Sequence, residues 1–427
     1  MSTLSLTDLA SAHRAGRPVG ITSICSAHPL VIRAAIEHAR DSNAMVLIEA
    51  TCNQVNQYGG YTGMRPVDFA ALVYRIAREC DLPHGQIILG GDHLGPNPWR
   101  GEMASVAMEK AEAMIAEYVK AGFSKLHLDA SMGCLGEPAA LDDETTAHRA
   151  ARLAKAAEQA ASESSAPLPL YIIGTEVPPP GGADHALASV EPTSAAAARE
   201  TIAVHRRIFA EQGLQDAFAR VIGLVVQPGV EFGNQNVILY DRQKAGELTA
   251  LLAAESQFVF EAHSTDYQGE TPLRQLVEDG FPILKVGPEL TFVLREALYG
   301  LDLVASDIFP DYGDRPLFKT MEGLMLAMPG EWNRHYGGTD AEQHIQRHYS
   351  YSDRIRYYWN KPEAQEAVDR LIRALSGVSI PVTVMRQHLP AHVDFADQPA
   401  DPAAILIAAV KRTIGTYHRA SRGHGPA

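Results

Sequence analysis

Carboxylate and imidazole side chains follow short apolar segments along the first three quarters of this 427-residue chain. The most informative are Asp92-His93 and the pair Glu261 and His263, because two imidazoles beside carboxylates suit Zn²⁺, Mn²⁺, Co²⁺ or Ni²⁺. Glu176 follows another apolar segment and is the best candidate for a further ligand. The residues predicted to hold a divalent metal are therefore His93, Glu176, Glu261 and His263.

Proton transfer is the second kind of chemistry that these residue types permit. The candidate proton carriers are Asp92, Asp129 and Glu176, and Asp129 is open to either a ligand or a general-base role. The loop after residue 51 reads TCNQVNQYGGYTGM, and its amides are suited to hydrogen bonding with sugar hydroxyls. The full set of candidate substrate ligands is Glu49, Asn53, Gln54, Asn56, Gln57, Ser131, Gln227 and Asp266.

These residues need strands that end at one common edge. Eight apolar segments each precede a stretch with helical periodicity, and continuous apolar runs are typical of strands buried on both faces. The alternation predicts an α/β fold, a (β/α)8 TIM barrel, with the site at the carboxyl ends of the strands. The predicted strands are residues 18–27, 44–51, 86–92, 125–131, 169–176, 221–227, 257–263 and 281–286.

The barrel topology predicts how the two histidines meet. Strands three and seven lie across the ring, so we expect His93 and His263 to share one cavity. Asp92 and His93 are adjacent and would point to opposite faces of a regular strand. The pair Gly90-Gly91 directly before them permits a bend that would bring both side chains to the centre.

The chain is longer than a barrel of typical size, which has about 250 residues. We assign residues 1–305 to the barrel and residues 306–427 to a smaller C-terminal helical domain, because the strand–helix alternation stops there. The last helix of that region is a candidate to pack back on the barrel.

Composition excludes several classes of function. The net charge is −14 and no long basic run occurs, so nucleic acid is not an expected partner. No segment has the roughly 20 apolar residues that span a bilayer, and no signal peptide is evident, so a cytoplasmic protein is expected. Neither GxxxxGK[ST] nor GxGxxG is present, which argues against a bound nucleotide. The four cysteines show no metal-ligand spacing, and Lys285 is the only candidate for a Schiff-base lysine on a late strand.

Longer stretches of the sequence resemble known families. Asp92-His93, His263 and the segments GFSKLHLDAS (122–131), FGN (232–234) and LKVGPELT (284–291) resemble the class II, metal-dependent ketose-bisphosphate aldolases. Over nearly the whole chain, the sequence is more similar to the larger second component of tagatose-1,6-bisphosphate aldolase. The segments that carry this second resemblance are EATCNQVNQYGGYTGM (49–64), GGDHLGPNPW (90–99) and GTEVPPPGG (174–182).

The resemblance implies a function as well as a fold. That second family is described as a non-catalytic subunit that supports the aldolase subunit, and it has also been labelled tagatose-6-phosphate kinase. Some relatives are reported to act alone as metal-dependent ketose epimerases. The resemblance makes His93 and His263 metal ligands and Asp92 the catalytic acid/base.

The sequence departs from the aldolase pattern at two places. The aldolases have a third metal-ligand histidine soon after FGN, where this chain has Gln235 and Asn236. They also have a glycine-rich phosphate loop after the histidine of strand seven, where this chain has Ser264 to Tyr267. Asp266 in that loop would repel a phosphate dianion. Both departures argue against cleavage of a ketose bisphosphate by this chain alone.

Three functions remain open on this sequence. The first is an accessory, non-catalytic subunit of class II D-tagatose-1,6-bisphosphate aldolase in galactitol- or tagatose-type carbohydrate catabolism, with the catalytic subunit as partner. The second is a stand-alone, metal-dependent ketose epimerase or aldolase that acts on a sugar or sugar phosphate. The third is a tagatose-6-phosphate kinase, which has no motif in its support. In each case we expect an oligomer.

Overall fold

A closed barrel of eight parallel strands forms the centre of the protein. The computed structural model describes residues 5–174 and 189–422. Its strands are β1 (Ile21–Ile24), β2 (Val46–Thr51), β3 (Ile87–Leu94), β4 (Lys125–Leu128), β5 (Leu170–Gly174), β6 (Val221–Val226), β7 (Glu231–Phe232), β8 (Val237–Ile238), β9 (Val259–Ala262) and β10 (Ile283–Val286). The order around the barrel is β1-β10-β9-β6-β5-β4-β3-β2, and β1 closes it by pairing with β10. The predicted (β/α)8 barrel is confirmed.

The barrel strands are buried because apolar residues cover both of their faces. All six residues of β6, VIGLVV, are buried, and so are all four of β10, ILKV. Each barrel strand lies within its predicted segment or extends beyond it by at most two residues. The ends differ because they depend on pairing with neighbouring strands, which sequence periodicity does not reveal. The hairpin β7–β8, which contains FGN, was not predicted, because two-residue strands are too short to show alternation.

Helices surround the barrel and also build the C-terminal region. The α-helices of the described residues are α1 (Leu9–Arg14), α2 (Pro29–Ser42), α3 (Pro66–Glu79), α4 (Ala104–Lys120), α5 (Asp143–Ser164), α6 (Ala195–Glu211), α7 (Gln215–Phe218), α8 (Gly246–Ala250), α9 (Glu270–Glu278), α10 (Pro288–Ile308), α11 (Pro316–Ala327), α12 (Asp340–Tyr349), α13 (Pro362–Leu375), α14 (Val382–His388) and α15 (Pro402–Ser421). Helix α2 begins at Pro29 and α3 at Pro66, where proline's missing N–H costs no helical hydrogen bond. None of the described helices is long and apolar enough to cross a membrane.

The last helix packs on the barrel rather than extending away from it. Helix α15 contacts α2, α9 and α10, so it fills the place in the outer ring between the helices that follow the seventh and first barrel strands. The Gly20 amide donates to the Ser421 carbonyl at 2.8 Å, and the Tyr417 hydroxyl donates to the Thr265 carbonyl at 2.7 Å. Helix α10 runs through position 305. The division at residue 305 therefore stays a proposal about domain organisation.

Candidate active site and metal centre

Four buried side chains meet at the carboxyl ends of the strands. Asp92, His93, His127 and His263 each offer one ligand atom, and these atoms all lie within 4.8 Å of one another. The ring centroids of His93 and His263 are 4.8 Å apart, although the two residues lie on strands across the ring. The expectation that these two imidazoles share one site is therefore met by the geometry.

The end of β3 is bent so that neighbouring residues both face the centre. Its register with β4 shifts between Gly91 and Leu94, and His93 has a φ of 48°, in the left-handed region that costs energy for a non-glycine residue. A Cβ on Gly91 would come within 2.4 Å of a Leu94 methyl group, and one on Gly90 within 2.6 Å of Glu49 Cγ. The bend that Gly90-Gly91 was predicted to permit is present, and side chains pack closely against both glycines.

His127 is a member of the cluster that the sequence reasoning missed. Its Nε2 lies 2.9 Å from the Gly174 carbonyl, which can only accept, so the proton sits on Nε2. The lone pair on Nδ1 then accepts a hydrogen bond from the His93 amide at 3.2 Å, and Nδ1 lies 3.2 Å from Asp92 Oδ1. The signal was present in KLHLD, because period-2 alternation places His127 on the same strand face as Asp129.

Asp129 orients His93. Its Oδ2 accepts from His93 Nδ1 at 2.8 Å, and its Oδ1 accepts from the Ser131 hydroxyl at 2.8 Å. Burial alone would raise the pKa of Asp129, but the hydrogen bond and charge of His93 hold it well below the usual range. A carboxylate that fixes one imidazole nitrogen leaves the other, here Nε2, with the lone pair that a metal needs.

A layer of buried ion pairs lies beneath the cluster. Lys125 Nζ is 2.6 Å from both Glu49 Oε1 and Glu261 Oε2, while Lys285 Nζ is 2.7 Å from Glu49 Oε2 and 2.8 Å from Asp92 Oδ1. Glu261 Oε1 also accepts from His263 Nε2 at 2.9 Å. Glu261 is not part of the four-residue cluster, and its role as a metal ligand stays a prediction. Its carboxylate is used by an ammonium group and an imidazole.

The charges of this centre suit a divalent cation. Burial would raise the pKa values of Asp92 and Glu261, but His93 and Lys285 lower the pKa of Asp92, and Lys125 and Lys285 lower that of Glu261, well below their usual values. Burial would lower the pKa of Lys285, but Asp92 raises it well above its usual value. Among the described residues, four carboxylates then face two ammonium groups: Glu49, Asp92, Asp129 and Glu261 against Lys125 and Lys285. Two negative charges remain when the histidines are neutral, so the donor set fits a divalent metal without distinguishing Zn²⁺ from Mn²⁺, Co²⁺ or Ni²⁺. Glu176, the further predicted ligand and proton carrier, lies outside the described residues.

A cavity of about 670 Å³ opens above the cluster. Asp92, His93, His263 and Lys285 line its barrel side. The C-terminal region supplies the facing wall, with Arg356, Tyr357, Trp359 and Asn360 among its lining residues. The Asn360 side-chain amide donates to the Tyr61 carbonyl at 2.8 Å, so a hydrogen bond joins the C-terminal region to the loop after β2 above the barrel. The C-terminal region therefore helps to enclose the site.

The structure divides the predicted sugar ligands into two groups. Asn53, Gln54 and Asp266 line the cavity, and binding of sugar by them stays a prediction. Glu49, Asn56, Gln57, Ser131 and Gln227 are not among the residues that line it, and sugar binding by these five likewise stays a prediction.

The five residues that do not line the cavity have structural partners. Glu49 bonds to the two buried lysines, and Ser131 bonds to Asp129. Asn56 Oδ1 accepts from the amides of Tyr58 and Gly60, Gln57 Nε2 donates to the Lys110 carbonyl, and Gln227 Oε1 accepts from the amides of Gly229 and Val230. These amides brace loops, as amide side chains commonly do where a chain turns.

Asp266 and Glu289 form an acidic pair at the start of α10. Asp266 Oδ1 accepts from the amides of Gly287 and Glu289 at 3.0 and 2.8 Å. Burial nevertheless raises the pKa of Asp266 to about 6. Burial and the charge of Asp266 raise the pKa of Glu289 to about 7. Asp266 thus caps a helix, which is a different use from the repulsion of phosphate that its position suggested.

A second cluster of possible ligands lies in the C-terminal region. It consists of Glu322, His344 and His348. The Glu322 carboxylate is already bonded to the Arg347 guanidinium, with Nε–Oε2 at 2.9 Å, and His348 Nδ1 lies 2.8 Å from the Tyr299 hydroxyl. A cation would have to displace Arg347, so we interpret this cluster as a structural hydrogen-bond network.

Fold and site together define a (β/α)8-barrel protein with a buried centre that could hold a divalent metal. The sequence matches the family model described as D-tagatose-1,6-bisphosphate aldolase subunit GatZ/KbaZ-like over residues 6–422. The chain belongs to this family.

Two relatives give the comparison more detail. A protein of Agrobacterium fabrum (strain C58) named D-tagatose 6-phosphate 4-epimerase is 61% identical over 419 residues, which is 98% of this chain and 99% of that protein. A crystal structure of a probable tagatose 6 phosphate kinase from Sinorhizobium meliloti 1021 superposes with a TM-score of 0.86 and 55% identity, covering 94% of this chain and all of that one. The names of these relatives differ in the activity they state, so the choice between activities depends on the site.

Proposed function

We propose that this protein is a divalent-metal-dependent epimerase that inverts C4 of a ketohexose 6-phosphate. The observation that carries the proposal is the buried cluster of Asp92 and three imidazoles at the floor of the cavity. The name of the relative that is 61% identical supports the same reaction and suggests D-tagatose 6-phosphate as substrate.

His127 accounts for the departure from the aldolase pattern at Gln235 and Asn236. His93, His127 and His263 bring three imidazoles to one site, which is a common ligand number for a catalytic metal with an open position, and His127 Nδ1 would exchange its hydrogen bond from the His93 amide for the metal. A divalent ion held by these imidazoles would polarise the ketose carbonyl and its neighbouring hydroxyl.

The position of the reacting carbon dictates the reaction type. C4 of a 2-ketose is not adjacent to the carbonyl, so removing its hydrogen would give no stabilised carbanion. Breaking the C3–C4 bond leaves its electron pair on C3, as the enediolate of carbons 1–3, and gives an aldehyde on carbons 4–6. Rotation of that aldehyde before the bond forms again inverts C4. An aldolase-like barrel is suited to this route because the same bond type is broken.

Asp92 is the proposed proton carrier. It lines the cavity, and its carboxylate, held ionised by His93 and Lys285, can accept the proton of the C4 hydroxyl as the C3–C4 bond breaks. The same proton returns to O4 when the bond forms again, so the cycle needs no oxidant or second substrate. Burial of the cluster limits the access of water that could protonate C3.

An accessory role in a tagatose-bisphosphate aldolase is the second candidate. The family description favours it, with the catalytic subunit as partner. Crowding carboxylates and imidazoles into a buried centre costs stability, which a purely supporting subunit would not need. A kinase activity, suggested by the name of the structural relative, finds no phosphate-binding motif in the sequence.

One set of assays separates the three candidates. The purified chain is incubated with Mn²⁺, Zn²⁺, Co²⁺ or Ni²⁺ and D-tagatose 6-phosphate, and D-fructose 6-phosphate is measured by NMR. We expect epimerisation that EDTA and His263→Ala abolish, and, in D₂O, no deuterium at C3 or C4. No epimer with any metal, together with stimulation of an added catalytic aldolase subunit, would support the accessory role instead. ATP-dependent phosphorylation of the sugar phosphate would support the kinase.

A further inference from the structure

Arg356 is a cation at the cavity wall that faces the metal centre. It lies in the segment Arg354–Tyr358 of the C-terminal region and lines the cavity together with Tyr357 and Asn360. Its Cζ lies 4.5 Å from the centroid of the Tyr357 ring, and that ring contacts Tyr61 edge-on at 4.9 Å between centroids. The plane of the guanidinium is therefore held by packing.

The hydrogen bonds of Arg356 leave a pair of donors for a ligand. Nη1 donates to the carbonyls of Ser352 and Asp353, the second at 3.1 Å, and Nη2 donates to the Tyr357 hydroxyl at 2.9 Å. A guanidinium has five N–H donors, so Nε–H and one Nη2–H remain. Donors arranged in this way form the fork that binds two oxygens of a phosphate.

Arg356 forms no direct ion pair with a carboxylate of residues 5–174 and 189–422, although Asp353 and Asp266 are near enough for their charges to interact with its guanidinium. All of its acceptors are neutral oxygens. The nearby Asp353 carboxylate is used by the Thr291 hydroxyl at 2.6 Å and by Arg295 Nε at 3.3 Å. Lys285, the other ammonium or guanidinium group that lines the cavity, is paired with Glu49 and Asp92. Among the described residues that line this wall, Arg356 is thus a cation without a directly bonded carboxylate.

We propose that Arg356 binds the phosphate group of a sugar phosphate, so that the C-terminal region selects phosphorylated substrates. This inference rests on the proposed epimerase function for its catalytic meaning, although binding of phosphate does not depend on it. The phosphate sits at one wall and the ketose carbonyl at the imidazole cluster, which sets the direction in which the sugar lies.

The contact between Arg356 and the phosphate would also favour epimerisation over aldol cleavage, because it retains the aldehyde fragment. When the C3–C4 bond breaks, carbons 4–6 become an aldehyde that still carries the phosphate on C6. A phosphate held by Arg356 keeps this fragment in the cavity while the aldehyde group rotates. C3 then attacks the opposite face of the aldehyde carbonyl. Arg356 is therefore a specificity-determining residue that also retains the intermediate.

Binding measurements on the full chain test the inference without relying on catalysis. Calorimetry compares D-fructose 6-phosphate, inorganic phosphate and unphosphorylated D-fructose, with EDTA-treated and with Mn²⁺-loaded protein. We expect Arg356→Gln to weaken binding of D-fructose 6-phosphate about 30- to 100-fold and that of inorganic phosphate similarly, because a charge-assisted bidentate contact is lost. Binding of D-fructose should change less than twofold.

Two further variants provide the controls. Arg354→Gln removes a neighbouring arginine whose Nη1 donates to the Glu331 carbonyl at 3.0 Å and which does not line the cavity, so phosphate binding should be unchanged. Arg356→Lys keeps the charge but not the fork, and we expect about tenfold weaker binding. If the melting temperature shows that Arg356→Gln does not fold, the test depends on Arg356→Lys, and wild-type affinity for phosphate in that variant would contradict the inference.

The outcomes separate this inference from the proposed function. Wild-type affinity for D-fructose 6-phosphate in Arg356→Gln, or equal loss of affinity in Arg354→Gln, overturns the inference whether or not the chain is an epimerase. If phosphate binding depends on Arg356 but no epimerisation occurs, the inference is supported and the proposed function is refuted. If both hold, Arg356→Gln should release triose phosphate aldehyde during turnover, detected with a coupled dehydrogenase, whereas wild-type protein retains it.

Discussion

Substitution of Asp129 by asparagine tests how the proposed metal centre is positioned. The carboxylate accepts from His93 Nδ1 on one oxygen and from the Ser131 hydroxyl on the other, each at 2.8 Å. An asparagine has one oxygen and one NH₂ group, so it can satisfy only one of these donors. If its NH₂ group faces His93, the imidazole proton moves to Nε2 and the lone pair is lost from the centre. If its oxygen faces His93, the hydrogen bond to His93 loses its charge assistance. The NH₂ group then faces the Ser131 amide, which in the wild type donates to Asp129 Oδ1 at 3.3 Å.

The expected size of the effect follows from both losses. Removal of the group that orients a metal-ligating histidine typically lowers metal affinity 10- to 100-fold, which is about 1.4–2.7 kcal/mol. We therefore expect Asp129→Asn to raise the Kd for Zn²⁺ or Mn²⁺ by this factor, measured by competition with a fluorescent chelator and by metal content after dialysis. Ser131→Ala removes one hydroxyl donor from the other oxygen and should change the Kd less than threefold.

The same variant distinguishes a positioning role from a catalytic one. Because Asp129 acts through His93 in this account, saturating metal should restore kcat of Asp129→Asn to within about tenfold of wild type. A variant with wild-type metal affinity and a kcat that stays lower by about 10³ or more at saturating metal would refute the reasoning and make Asp129 a proton carrier.

Three further predictions concern the proton carrier, the buried ion pairs and pH. Asp92→Asn should lower kcat by about 10²–10⁴ while D-fructose 6-phosphate still binds in calorimetry, and wild-type turnover in this variant would exclude Asp92 as acid/base. Glu49→Gln, which leaves Lys125 and Lys285 short of one shared counter-charge, should lower the free energy of unfolding in urea by about 3–5 kcal/mol. Glu79→Gln, at a solvent-screened surface pair with Arg33, should have a much smaller effect, and equal losses of stability would contradict the account of the buried layer. The pKa of Glu289 is raised to about 7 in the folded state, so its contribution to stability is present at low pH and is lost as pH rises through 7. Between pH 5 and pH 8, the free energy of unfolding of Glu289→Gln should therefore fall by about 2–3 kcal/mol less than that of the wild type. If the denaturant midpoints of both proteins change with pH in the same way, the carboxyl does not titrate in this range.

The sequence by itself determined the barrel and part of its centre. Strand–helix alternation is a local property, since burial on both faces leaves continuous apolar runs such as VIGLVV in β6. Closure of eight such units then brings the ends of opposite strands together, so His93 and His263 could be placed in one cavity without coordinates. The bend at Gly90-Gly91 was predictable for the same local reason.

The tertiary structure alone decided which polar groups are partners within that centre. Glu261 and Glu49 lie at strand ends like the other candidates, yet their carboxylates bond to Lys125 and Lys285, which come from distant positions in the chain. Arg356 carries no sequence signal for a ligand, and it reaches the cavity only because the C-terminal region folds over the barrel. Periodicity reports which face a side chain occupies, whereas hydrogen bonds and ion pairs depend on distances of a few ångströms that are fixed only when separate elements pack together.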